Sequence, residues 1–114
     1  MKVWQVDPAH LTPYYDAALC AALADAGCEV RFFTSRFLYD PSYTPSPTFQ
    51  TSYCYFRGLN SRRLLHHACL RHVLRLLSYP LGHLALLREA RIQPPDVVHL
   101  QWSRAPLLDL WLIR

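Results

Sequence analysis

Two short stretches near opposite ends of the chain hold the side chains best suited to binding or chemistry. The first runs from Asp7 to Tyr15 and offers a carboxylate (Asp7), an imidazole (His10), a hydroxyl (Thr12) and two phenols (Tyr14 and Tyr15). The second offers an amide (Gln101), an indole (Trp102), a hydroxyl (Ser103) and a guanidinium (Arg104). Trp102 supplies a flat apolar face for stacking. Arg104 is suited to an acidic group through paired hydrogen bonds. His10 is a hydrogen-bond partner, with no role as a base assigned to it. Neither stretch contains glycine, and the chain has only Gly27, Gly58 and Gly82. A phosphate cradle of the G-x-G-x-x-G or P-loop kind needs glycines, so that backbone can approach phosphate closely. The sequence therefore argues against glycine-loop nucleotide binding, and no cofactor is expected. The free N–H groups of a helix opening at Thr12-Pro13 are an alternative attraction for an anion.

His66, His67, Cys69 and His72 have the residue types of a metal cluster. On one helix, though, His67 points away from the other three, and zinc sites usually draw ligands from more than one element. They read as histidines at the edges of a polar face with Cys69 in the core, and no metal is expected. The chain has no G-x-S-x-G nucleophile elbow and no H-E-x-x-H pair.

The elements that must position these residues alternate between strand and helix. Lys2 to Val6 is a short β-rich run closed by Asp7-Pro8. A helix opens at Thr12-Pro13, where threonine suits the cap and proline the first turn. Asp16 complements its positive end. Tyr15, Leu19, Ala22, Leu23 and Ala26 recur at helical spacing, and Gly27 sits where a left-handed cap belongs. Cys28 to Thr34 is the next strand, so this β-α-β unit implies a parallel pair with a right-handed crossover. The loop from Ser35 to Phe49 carries three prolines and four aromatics, Phe37, Tyr39, Tyr43 and Phe49. Such a loop either packs against the domain and faces a ligand, or is a surface excursion over the sheet. Gln50 to Phe56 is a third strand.

Ser61 caps a following helix, with Leu65, Cys69, Val73 and Leu76 on its apolar face and Arg63, His67, Arg71 and Arg75 on a basic one. Pro80 and Gly82 interrupt it, and a second helical stretch runs from Leu81 to Arg91. Asp96 to Gln101 is the fourth strand, and Pro106 opens a last short helix. The fold class is α/β: a Rossmann-like parallel sheet of about four strands with flanking helices, incomplete at the C-terminus. In such sheets the fourth strand starts on the far side of the first, and ligands bind at that switch point, outside the carboxyl ends of the strands. Asp7, His10, Thr12 and Tyr14 should then face Gln101, Trp102 and Arg104 across one crevice.

With 114 residues, 52% of them apolar, the chain is long enough for one domain with a modest core. Its charge of +4 is spread out, and Lys2 is the only lysine among 12 basic residues. A nucleic-acid footprint would be clustered, so no nucleic-acid partner is expected. The four cysteines form no C-x-x-C pair, and Cys20, Cys28 and Cys69 fall in apolar patterns. They point to a reduced, cytoplasmic setting. The N-terminus lacks the apolar run of a signal peptide.

Three segments resemble the N-terminal domain of GT-B-fold retaining glycosyltransferases. They are Met1 to Pro8, Tyr15 to Val30 with its Ala24-Asp25-Ala26-Gly27-Cys28-Glu29-Val30 turn into a strand, and Pro95-Asp96-Val97-Val98-His99-Leu100-Gln101-Trp102. Many members carry glycines in the loop after the first strand, where this chain has Asp7 to Thr12. The resemblance implies that residues 1–114 are the acceptor-side half of an enzyme transferring a sugar from a nucleotide-sugar donor. The donor domain, with its usual paired glutamates, is absent from these residues, so the resemblance implies a fragment or one part of a split enzyme. It transfers no catalytic residue to this chain. It implies a sugar acceptor as partner, with nucleotide sugar bound only through a second domain. Trp102 would stack on a sugar ring or lipid portion, or plug the interface with that domain.

Two other readings stand beside it. One is a non-catalytic binding or interaction module of the same fold. The other is peripheral attachment to an anionic membrane surface through Arg63, Arg71 and Arg75, because a basic face beside an apolar one is the pattern of interfacial helices. The resemblance predicts that the 114 residues alone do not turn over nucleotide sugars. Transfer or donor hydrolysis by the purified chain, measured against a blank, checks this.

Overall fold

The computed structural model describes residues 1–59, 66–103 and 105–113. Ser61, Arg63, Leu65 and Arg104 lie outside the described residues. The elements are β1 (Lys2–Asp7), α1 (Pro13–Asp25), β2 (Glu29–Thr34), β3 (Gln50–Tyr53), α2 (Ala68–Ile92), β4 (Val97–Leu100) and α3 (Pro106–Ile113). The strands form one sheet in the order β3-β2-β1-β4. Every pairing is parallel: Val3 lies opposite Val30 on one side and Val97 on the other. This is the Rossmann-like α/β arrangement, with the first and fourth strands adjacent.

Alternation along β1 sends Trp4 and Val6 to one face of the sheet, and Gln5 and Asp7 to the other. Trp4, Val6, Phe33, Cys54, Tyr55, Phe56, Tyr79 and Leu86 form the larger core, under α2 and α3. Cys20, Val30 and Phe32 form the smaller one, under α1. Gly27 closes α1 with φ +86°, and the Cys28 N–H donates to Leu23 O at 3.1 Å. The left-handed cap expected there is present. The loop after β2 packs back on the domain. Phe37 and Tyr43 each meet His10 with ring centroids 5.5 Å apart, and Phe49 meets Phe32 at 6.3 Å.

Both long helices are turned differently from the expected faces. In α1 the buried residues are Pro13, Asp16 and Cys20, while Tyr15, Ala22 and Ala26 are exposed. The helix is apolar nearly all round, so spacing did not fix its orientation, and the polar partners of Asp16 did. In α2 the inward line is Arg75, Tyr79, His83 and Leu86. Cys69, Val73 and Leu76, expected in the core, are exposed. Arg75, expected on the basic outer face, is only 9% exposed, and its guanidinium lies 5.3 Å from the Phe56 ring centroid. A cation over an aromatic face accounts for an arginine in that position.

Pro80 does not interrupt α2, which is continuous over 25 residues. Proline removes one intrahelical hydrogen bond, and two sets of contacts hold the helix across the gap. Downstream, Arg31 Nη1 donates to Glu89 Oε2 at 3.2 Å and lies over the Phe33 ring at 5.2 Å. Around the proline, Tyr79 Oη donates to Asp109 Oδ1 at 2.9 Å and His83 Nε2 meets the same oxygen at 2.9 Å, while Ser103 Oγ donates to Asp109 Oδ2. Burial lowers the His83 pKa against the pull of the Asp109 charge.

Gly82 is a packing position rather than a break. A Cβ there would come within 2.2 Å of Tyr55 Cδ1 and 2.9 Å of its Cγ, in a ring that is fully buried. Gly82→Ala should therefore destabilise the fold by about 1–3 kcal/mol despite alanine's better helix propensity. The exposed control Leu81→Ala should stay within about 0.5 kcal/mol of the parent. Urea unfolding of the three proteins checks this, and a Gly82→Ala midpoint at or above the parent's would refute the packing argument.

Candidate functional site

Since β1 and β4 are neighbours, the loops that follow them meet at the C-terminal edge of the sheet. Gln101 N donates to Val6 O at 2.8 Å, which carries the pairing one residue past β4. There the side chains of Thr12, Gln101 and Trp102 come together. Gln101 Nε2 lies 3.0 Å from Thr12 Oγ1, and Trp102 Nε1 donates to the same oxygen at 3.3 Å. The Thr12 side chain makes no helix-cap bond. Its hydroxyl donates instead to Asp16 Oδ2 at 3.3 Å.

Beneath this surface lies a buried polar layer that the sequence did not single out. Gln5 is fully buried in the middle of β1, and its Nε2 donates to Gln101 Oε1 at 2.9 Å and to Asp16 Oδ1 at 3.3 Å. On its other side Gln5 Oε1 meets His99 Nδ1 at 2.5 Å. Asp16 is fully buried as well. Loss of solvent, and then the charge of Asp7, push its pKa up to about 7. Rotated, the amide of Gln101 meets Asp16, Thr12 and Trp102 but sets its nitrogen 2.9 Å from Gln5 Nε2, donor against donor. Its nitrogen then donates to Asp16 Oδ1 at 2.9 Å, and its oxygen accepts from Trp102 Nε1 at 3.1 Å and Thr12 Oγ1 at 3.0 Å. One signal pointed to this layer: a glutamine in the middle of a doubly covered parallel strand, where apolar residues are the rule.

The remaining expected residues sit apart from that meeting point. Asp7 is buried and shapes the loop, its carboxylate accepting from the N–H groups of Ala9 (3.1 Å), His10 (3.0 Å) and Leu11 (3.0 Å). His10 is buried among Phe32, Phe37 and Tyr43. Its Nδ1 donates to Ser35 O at 2.8 Å, and burial lowers its pKa, so the ring is a neutral pin between two loops. Tyr14 is exposed on α1 and donates to Asp40 of the long loop. Among the described residues, no three His, Cys, Asp or Glu side chains converge as metal ligands would.

Among the described residues, three non-glycine residues have left-handed backbones: His10 (φ 52°), Phe56 (φ 52°) and Trp102 (φ 54°). All three follow the C-terminal ends of strands. Such a conformation is uncommon for a bulky residue. His10 and Phe56 are held in it by burial. Trp102 is 53% exposed and anchored through its indole N–H, which leaves its ring face open.

Compared with models of known protein families, with curated proteins and with solved structures, the chain matches none.

Because the Asp16 pKa is raised from 3.8 to about 7, the fold prefers the protonated acid. The resulting stability is fully present below about pH 4 and is lost as pH rises through 7. Asp16→Asn keeps a neutral group in place. Its urea midpoint, relative to the parent's, should rise between those two pH values. Parallel pH profiles for the two proteins would show that Asp16 ionises without cost.

Proposed function

We propose that the crevice between the β1 and β4 loops receives the acceptor of a glycosyl transfer, and that the chain is the acceptor-side part of a glycosyltransferase. The observation that carries this reading is Trp102: an exposed indole in a strained backbone, with its N–H fixed and its face free. Strain of this kind concentrates at functional sites. An indole face suits the apolar side of a sugar ring or the lipid portion of an acceptor. The groups beside it, the Thr12 hydroxyl and the Gln101 amide, recognise hydroxyls through neutral hydrogen bonds. Asp16 and Gln5 support them from below without reaching the surface. The motif order from Met1 to Trp102 supports the same reading, as does the lack of glycine in either loop, which disfavours a phosphate cradle here. On this reading the nucleotide-sugar donor is held by a second domain.

Saturation-transfer NMR with the 114-residue chain tests this reading, using a panel of mono- and disaccharides, glycolipid headgroups and nucleotide sugars. Saccharide or headgroup signals should appear, fall at least several-fold in Trp102→Ala, and be partly retained in Trp102→Phe. Nucleotide sugars should give no signal beyond that of their sugar moiety. Saccharide binding unchanged in Trp102→Ala, or binding led by the nucleotide, would overturn the assignment.

A further inference from the structure

With Arg75, Tyr79, His83 and Leu86 turned inward, α2 presents its leucines to the outside. Leu70, Val73, Leu77, Leu81 and Leu84 follow one another at three- and four-residue steps and are 50–70% exposed. From Leu70 to Leu84 this stripe spans about 21 Å at the usual helical rise. It runs on into the exposed Arg88 and Arg91. α3 packs on the same side of the sheet and leaves Leu107, Leu110 and Trp111 exposed. An apolar surface of this extent marks an interaction site.

The charges select the occupant. Apart from Glu89, which is paired with Arg31, α2 carries no acidic residue. The acid of α3, Asp109, is buried. The outer side of both helices is therefore apolar with a cationic end. At that end a groove of about 580 Å³ opens between α2 and the sheet, lined by Phe33, Cys54 and Ala85, by Arg57 and Arg88, and by Glu89, whose charge is paired with Arg31. A second copy of this chain would bring one net charge of +4 against another. An anionic, amphiphilic surface matches both features at once. No helix among the described residues is long and apolar enough to cross a membrane. Lying in the plane of the interface is the arrangement open to such a face, with Trp111 at headgroup level.

We propose that the outer face of α2 and α3 is a membrane-surface site for an anionic bilayer, with its leucines at the headgroup–acyl boundary and Arg57 and Arg88 of the adjoining groove holding an anionic lipid headgroup. The contact is made by leucines, because Arg75 faces the sheet.

Flotation of the full chain with vesicles of phosphatidylcholine, alone or mixed with phosphatidylglycerol, tests this. The mixed vesicles should carry the chain and the neutral ones should carry much less of it. Leu77→Glu with Leu81→Glu should abolish flotation. Arg88→Gln with Arg91→Gln should weaken it by about fivefold per arginine at low salt. These four positions are exposed, and circular dichroism of each variant is to match the parent's. Equal binding to both vesicle types, or flotation unaffected by the leucine pair, would overturn the proposal. So would a dimer in sedimentation that the leucine pair dissociates and that does not float, which would assign the face to a second copy. None of these outcomes depends on acceptor binding at Trp102, so the two readings stand or fall separately.

Discussion

β1 is hydrogen-bonded on both sides, to β2 over its whole length and to β4 from Val3 to Val6. That double pairing places the loop after β1 beside the long loop after β2 on one side and the loop after β4 on the other. Asp7, at the end of β1, fixes the turn that follows by accepting three backbone N–H groups. Thr34 Oγ1 donates to Asp7 O at 2.7 Å and ties β2 to the same point. Without the central position of β1, Thr12 and Trp102 would have no reason to meet. Their contact is a consequence of strand order.

The two faces of the sheet solve the problem of buried polar groups differently. On the α1 face the polar layer of Gln5, Asp16 and Gln101 lies directly beneath the contact of the β1 and β4 loops and shares atoms with it through Thr12. Under α2 and α3, Asp109 gathers Tyr79, His83 and Ser103 in a latch that fastens α3 to α2. Buried polar groups are costly unless satisfied; Tyr79 and Ser103 donate to Asp109, while His83 Nε2 lies 2.9 Å from it without a hydrogen bond. The latch also explains the exposed leucines. With Tyr79, His83 and Arg75 committed inward, the opposite side of the helix has to carry Leu77, Leu81 and Leu84.

Strands, their parallel order and the αL cap at Gly27 were legible because each rests on local chemistry: short apolar runs, a β-α-β spacing and a glycine at a helix end. The convergence of the two loops was legible because it follows from topology. The helix faces were not. In α1, alanines and other apolar side chains surround the axis, so no stripe stands out. In α2 the pattern was clear and the outcome opposite, because an arginine over Phe56 and a histidine against Asp109 replace aliphatic contacts at the core. Asp109 and Phe56 are remote from those residues in sequence, and no spacing rule links them. Continuity through Pro80 depends on the same remote contacts. Asp16 was read as a charge at a helix end, whereas its tertiary partners make it a buried acid.

The orientation of the Gln101 amide is tied to its contacts with Asp16 and Gln5. With Gln101 Oε1 turned toward Asp16 Oδ1, the 2.9 Å separation joins two oxygens, and only a protonated carboxyl supplies the hydrogen between them. Gln5 Nε2 then donates to the same Gln101 oxygen, and the Gln101 amide nitrogen points at Thr12. An ionised Asp16 only accepts, which favours the rotated amide, with its nitrogen toward Asp16 and its oxygen toward Thr12 and Trp102. In that orientation the Gln101 nitrogen lies 2.9 Å from Gln5 Nε2, donor against donor, and turning Gln5 as well would set its oxygen 3.3 Å from Asp16 Oδ1. In either orientation the Gln101 amide lies against Thr12 and Trp102 on one side and Asp16 and Gln5 on the other. The buried layer therefore reaches the loop contact through shared atoms, Thr12 Oγ1 and the Gln101 amide.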